Sequence, residues 1–390
     1  MLRRLFKHIG RSFHSTPIAV PRCAEAPPEP KENAEAYRAT LLARAGPEPW
    51  CIDSVSIADG ILEVTGWAIP RAGSLDRMAF LGNDAKAENV TRGIARPDVG
   101  SFYWYYPKAD ASGFHLRMNF AGLIPPVLRL SYADAANGLP IAEQHDFHLR
   151  TADLTLGRKY AAPPLGLIQR THTGNSEDQY FAEGFTMFQT IDQQFTAVAG
   201  RSLAATGAIL DFGCGPGRLT RYLAGPDNSV TAVDVDPDCI GWCSVAFPDV
   251  RCLVGALRPP LPLGGSSFDC ILAINVLLHL READALTWLE EWARLLKQGG
   301  ILIVSIASAI ALTRARLSAE HYAQVEDLDF VELSRNPDLD EVITDRDYYK
   351  NIFMTHTYVQ RRWPALGLGI LGIVEGAIGN HHDLVILRRN

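Results

Sequence analysis

Between about residues 50 and 150 the chain alternates apolar and polar positions over short runs. In GFHLRMNF (113–120), Phe114, Leu116, Met118 and Phe120 are separated by His115, Arg117 and Asn119. A period of two places the apolar set on one face of a strand. ILEVTGWAI (61–69) and VLRLSY (127–132) are further runs of this kind, with Gly, Pro and Asp between them. The pattern predicts a small all-β, sandwich-like domain over residues 47–152.

Beyond residue 200 the pattern becomes strand, glycine turn, helix, strand. Strands are predicted at AILDFG (208–213), SVTAVDV (229–235), VRCLV (250–254), FDCILAIN (268–275) and GILIVSI (300–306), with helices near 217–224, 237–246 and 282–297. Such alternation makes an α/β unit with a parallel sheet covered on both faces. The stretch from about 307 to 354 separates the fifth strand from the next helix. It is far longer than an ordinary connection, which suggests a lid insertion.

A chain of 390 residues is long enough for two or three domains. Its net charge of -7 is spread without acidic or basic blocks, so no nucleic-acid partner is expected. The seven cysteines form no CxxC pair and read as free thiols. Cys239, Cys243 and Cys252 lack a fourth ligand at suitable spacing, so no metal is expected. The longest uncharged runs, 299–313 and 363–374, fall short of the roughly 20 apolar residues of a transmembrane helix.

Residues 1–46 read as a basic leader followed by a Pro-rich linker. The first 22 carry five Lys or Arg and no acid, with Leu2, Leu5, Phe6, Ile9 and Phe13 on one helical face. That profile fits a mitochondrial presequence, a helix lying on an anionic membrane as a peripheral contact, or a disordered leader on a cytoplasmic protein.

The chemistry is concentrated in ILDFGCGPGR (209–218). Gly213, Gly215 and Gly217 follow a strand, where residues without side chains let a ligand lie against the backbone. The helix that follows offers free N–H groups to an anion. The dinucleotide fingerprint requires a small residue where this chain has Arg218, so the fingerprint fails. Asp234 ends the second strand, where a carboxylate accepts from the two hydroxyls of a ribose.

These motifs resemble the class I S-adenosylmethionine-dependent methyltransferases, and the likeness runs from about 165 to 390 through FDCILAINVLLHL (268–280) and LLKQGGILIV (295–304). It implies a Rossmann-like sheet of seven strands and S-adenosylmethionine as cofactor. By the same resemblance, Asp211 and the corner of Gly213, Cys214, Gly215 and Gly217 would surround the methionine portion. Asp234, with Val235 beside it, would hold the ribose, and Asn275 would floor the sulfonium. Many members have an Asp for the adenine amino group where this chain has Gly255-Ala256. RTHTGNSEDQYFAEGF (170–185) is similar to the segment that folds over the cofactor, so Gly174 and Tyr180 are expected near it. RPPLPLGGSSFD (258–269), His279-Leu280 and GNHHDLVIL resemble a bacterial subgroup associated with glycosyltransferases and surface-polysaccharide genes, as do GWAI and RPDVGSFY in the front module.

The implied reaction is methylation of a hydroxyl on a sugar, glycan or glycolipid, which needs an aligned nucleophile and a base. His356 and His382 are the leading catalytic candidates, with His279, Tyr348, Tyr349, His381 and Asp383 also in range. SFYWYYP (101–107) and Trp67 offer aromatic faces for a glycan, although packing inside a small β domain explains them better. The rival readings are a noncatalytic glycan-binding scaffold with a degenerate domain, a small-molecule N- or C-methyltransferase, and a nicotinamide oxidoreductase.

Overall fold

The computed structural model describes residues 34–46, 49–69, 78–82, 85–86, 89–120, 126–134, 147–171, 176–315 and 317–390. The basic leader, Cys23 and Gly174 lie outside the described residues.

Among the described residues the front region holds eight strands: β1 (Trp50–Ala58), β2 (Ile61–Ala68), β3 (Met78–Gly82), β4 (Ala85–Lys86), β5 (Asn89–Ile94), β6 (Gly113–Asn119), β7 (Val127–Asp134) and β8 (Phe147–Arg150). They form two antiparallel sheets, ordered β1-β2-β6-β5 and β4-β3-β7-β8. The β1–β2 hairpin turns at Asp59-Gly60, both with positive φ, the geometry that matches the twist of paired strands. On β6, Phe114, Leu116 and Met118 are buried, while Arg117 faces Glu63 across the ladder at 3.4 Å.

This apolar face does not close on itself. Ile52, Val55, Leu62 and Leu116 share one buried cluster with Phe185, Phe188 and Phe195 of the helix Glu177–Ala199 and with Ile209 and Ile301 of the larger sheet. The front sheet and the α/β unit are therefore packed through a common core.

The larger sheet contains β9 (Ala208–Phe212), β10 (Ser229–Asp234), β11 (Arg251–Val254), β12 (Phe268–Ala273) and β13 (Leu296–Ile306), all parallel. Between β13 and the final strands lies the hairpin of β14 (Phe330–Arg335) and β15 (Lys350–Met354). The last two strands, β16 (Leu368–Ile378) and β17 (His382–Arg389), complete the order β11-β10-β9-β12-β13-β17-β16, with β17 antiparallel to both neighbours. The order reverses between β9 and β12, which opens a crevice beyond their carboxyl ends.

Two predicted helices shorten: the one expected near 217–224 is the single turn Thr220–Leu223, because the glycine turn runs on through Gly217, and the one expected at 282–297 also ends early. The latter helix ends at Leu295, and β13 already begins at Leu296, with an irregular register opposite Phe268 and Cys270. Gly299, at φ +73°, lies within this irregular stretch, so the Gly-Gly pair sits inside the strand and not before it. The helix Glu282–Leu295 buries Trp288 and Trp292 against Phe212 at ring distances of 4.5 and 5.2 Å, which fixes the end of β9 from below.

The stretch predicted as an insertion builds the short helices Ala309–Leu312 and Ala319–Val325 and the β14–β15 hairpin. No helix among the described residues is long and apolar enough to cross a membrane.

Candidate active site

The glycine corner is shaped by sterics on both sides, from Val276 in the cavity wall and from the buried Phe247. A Cβ on Gly213 would lie 2.5 Å from Val276 Cγ2, and one on Gly217 would lie 2.3 Å from Phe247 Cε2. Both have φ in the left-handed region, +73° and +85°. Side chains are thus excluded by packing as well as by backbone angle. The Gly213 and Cys214 amides donate to Val233 O at 2.8 and 3.1 Å, which binds the corner to β10.

The corner also rests on a buried cation. Arg221 is fully buried, donates to Gly157 O at 2.8 Å, and lies 5.0 and 4.8 Å from the Tyr180 and Phe181 ring centres. Tyr180 donates to Pro216 O at 3.2 Å. Tyr180 therefore braces the corner from behind.

The two predicted acids occupy different places. Asp234 lines the crevice; its Oδ2 accepts from the Gly215 amide at 2.7 Å and its Oδ1 from the Asp236 amide at 2.9 Å. Each carboxylate oxygen keeps a lone pair for a further donor. Burial raises its pKa against the lowering effect of those amides. Asp211 sits beneath the corner, 3% exposed, accepting from Thr220 Oγ1 at 2.6 Å. Burial pushes its carboxyl up to about 6. The structure places Asp211 among the supports of the corner and not in the crevice wall.

Cys214, Gly215, Val235 and Asn275 line the crevice with Asp234, and Gly255 and Ala256 are part of the same wall. Asn275 takes φ +60°, and its amide donates to Ser305 Oγ at 2.7 Å, while Ser305 Oγ donates back to its side-chain oxygen at 3.2 Å. The strained turn after β12 is fixed by β13.

The histidines separate as clearly. His382, at the start of β17, lines the cavity, and burial together with neighbouring His279 lowers its pKa to about 3. His279 also lines it, stacked on Tyr349 at 4.2 Å, with a pKa lowered by burial to about 4. Its Nδ1 lies 3.0 Å from Lys350 O, which can only accept, so Nδ1 carries the proton and Nε2 keeps its lone pair. His381 Nδ1 accepts from Arg314 at 2.9 Å, and its pKa falls far below the usual value through burial.

His356 is elsewhere. Its Nε2 meets the fully buried Asp383 at 2.6 Å, and the other Asp383 oxygen accepts from the Gly376 amide at 2.8 Å. That bond raises the His356 pKa. Neither His356 nor Asp383 lines the cavity; the pair joins the helix His356–Arg362 to β16 and β17. Tyr348 reaches the wall, but its hydroxyl is engaged with Leu257 O and Trp288 Nε1.

A cavity of about 2730 Å³ connects these groups, running from the glycine corner past Asn275 and His279 to His382 and on to Trp67, Arg96 and Phe102 of the front region. Sequence reasoning did not select Glu183, which lines it and pairs with Arg218 at 3.2 Å, or the Asp53–Arg96 pair. An acid on an amphipathic helix and a charge at a strand end carry no signal until the fold brings them together.

The corner, packed between Val276 and Phe247, and a carboxylate with spare lone pairs fit an adenosyl sulfur compound. Residues 209–300 match the family model described as a methyltransferase domain. The ubiquinone biosynthesis O-methyltransferase of Caulobacter vibrioides is 32% identical over 29% of this chain and 46% of its own length. A probable S-adenosylmethionine-dependent methyltransferase of Mycolicibacterium smegmatis is 26% identical over 43% of this chain and 60% of its own length. The chain thus spans about half the length of these curated relatives. A solved 1,6-didemethyltoxoflavin-N1-methyltransferase from Burkholderia thailandensis, with bound 1,6-didemethyltoxoflavin and S-adenosylhomocysteine, is 17% identical over 69% of this chain and 97% of that one, with a TM-score of 0.40. Over residues 209–300 the chain thus carries a methyltransferase domain, and it is similar there to S-adenosylmethionine-dependent methyltransferases.

Proposed function

We propose that the protein methylates a hydroxyl, on a sugar, glycan or glycolipid, with S-adenosylmethionine as donor. The observation that carries the reading is the continuous cavity joining the glycine corner and Asp234 to two half-buried, neutral histidines.

Bound there, the cofactor supplies an electrophilic methyl group. Asp234 holds the ribose hydroxyls, and the side-chain-free backbone of the corner lets the methionine end lie against it. Asp211 contributes by fixing Thr220 below that corner. Asn275, pinned to Ser305, floors the crevice and limits the approach of the nucleophile.

His279 Nε2 or His382 takes the acceptor's proton. Both imidazoles are weak bases, yet an alcohol oxygen that has gained a methyl group is a far stronger acid than an imidazolium, so transfer runs downhill late in the step. A neutral imidazole also adds no positive charge beside a sulfonium.

The test is incubation of the full chain with methyl-labelled cofactor and fractionated cell glycans, lipids and small metabolites. Label appearing in alkali-stable ethers of glycans or glycolipids supports the reading. Label only on amines or carbon, or none in any fraction, overturns it.

A further inference from the structure

We propose that the front β region supplies the acceptor half of the site, and that Asp53, Arg96, Asp98 and Phe102 bind a hydroxyl-rich ring whose reacting hydroxyl lies against His382. The inference rests on the methyltransferase reading and deepens it by assigning residues outside the matched domain.

The front wall is fastened to the elements that carry the histidines. Tyr105 Oη lies 2.9 Å from Thr313 Oγ1, Tyr37 donates to Leu317 O at 2.8 Å, and Asn380 Nδ2 donates to Trp50 O. These bonds tie the front region to the stretch after β13 and to the β16–β17 turn, so the wall keeps its distance from the reacting end.

A chain of rings then leads inward. Phe102 meets His381 edge-on at 5.6 Å, and His381 lies 4.2 Å from His382. Arg314, only 5% exposed, sits 4.5 Å over Tyr103 and 5.9 Å from Phe102, and its bond to His381 sets that ring's tautomer. Phe102 itself is 42% exposed and lines the cavity, leaving apolar ring surface for a partner. Three side chains thus connect the front wall to the candidate base.

The polar part of the wall suits vicinal hydroxyls. Arg96 forks onto Asp98 at 3.0 and 2.7 Å and also holds Asp53, and all three line the cavity. Carboxylates fixed by one guanidinium keep lone pairs for incoming O–H donors, and the guanidinium fixes their orientation. A flat phenol would use the Phe102 face and leave this fork without a partner; a ring carrying several hydroxyls uses both.

The test pairs two measurements on the full chain and on the exposed-site variants Phe102→Ala and Asp98→Asn. Saturation-transfer NMR with methyl hexosides and, separately, catechol reads acceptor binding in the presence of S-adenosylhomocysteine. Calorimetry with S-adenosylhomocysteine alone reads the cofactor site. The proposal predicts hexoside binding by the wild type, about tenfold weaker in each variant, with cofactor affinity unchanged. Hexoside binding that both variants leave intact overturns it, as does catechol binding without hexoside binding. A wild type that does not bind S-adenosylhomocysteine overturns the methyltransferase reading, and this proposal falls with it.

Discussion

Asp234 Oδ2 accepts a 2.7 Å hydrogen bond from the Gly215 amide, so the carboxylate that ends β10 is tied directly to the glycine corner that follows β9. A change at either residue is felt by the other. Bonds within the protein thus hold the geometry of the proposed cofactor site, which lowers the ordering cost of binding.

Gly217→Ala is expected to damage folding and the site together. The added Cβ would meet Phe247 at 2.3 Å in a backbone conformation that disfavours side chains. Strain and overpacking of this kind cost about 1–3 kcal/mol each. Urea denaturation should show a lower midpoint, and calorimetry should show weaker binding of S-adenosylhomocysteine.

Asp211→Asn should alter the pH dependence of stability. Because burial raises the native pKa from 3.8 to about 6, the fold binds this proton more tightly than the unfolded chain does. The contribution is complete below pH 3.8 and is lost as pH rises through 6. Relative to the variant, the wild type should therefore lose about 2 kcal/mol between pH 4 and pH 7, with little further change above. Urea midpoints of both proteins across that range check it; parallel curves would contradict the placement of Asp211.

Replacing by Gln whichever of His279 and His382 is the base should lower turnover about 100-fold or more while leaving cofactor affinity alone. Since the imidazole stays neutral down to about pH 4, wild-type turnover should be flat from roughly pH 5.5 to 8. A rate that halves near the ordinary histidine pKa of about 6.5 points to another base.

His356→Ala should act on stability. The native pKa is raised by Asp383, so the pair stabilises the fold below the ordinary pKa of 6.5 and loses that contribution as pH rises through the higher native value. Removing the imidazole should cost about 1–3 kcal/mol at pH 6 and less at pH 9. Thermal unfolding at the two pH values reads the difference.

The corner and its acid were legible because their chemistry is local. Gly213 directly follows β9 and Asp234 ends β10, places that hydrophobic patterning alone locates, whereas the packing of Val276 and Phe247 against Gly213 and Gly217 comes from distant parts of the chain. The roles of the histidines were not legible. His356 and His382 are both polar residues beside apolar runs, and only the pairing of β16 with β17 turns one toward Asp383 and leaves the other in the cavity wall. The aromatic run 102–106 divided for the same reason: Tyr103, Tyr105 and Tyr106 are buried, and Phe102, at the end of a short helix, stays exposed in the cavity. Burial is a property of the assembled layers, which periodicity over a few residues cannot report.

The most direct measurement is a calorimetric titration of the wild type and Asp234→Ala with S-adenosylhomocysteine, with NAD run in parallel. Binding of S-adenosylhomocysteine without binding of NAD, weakened by about 1.5–3 kcal/mol in the variant, is the predicted result. Equal affinity in both proteins, or heat from NAD alone, would contradict the assignment of the crevice.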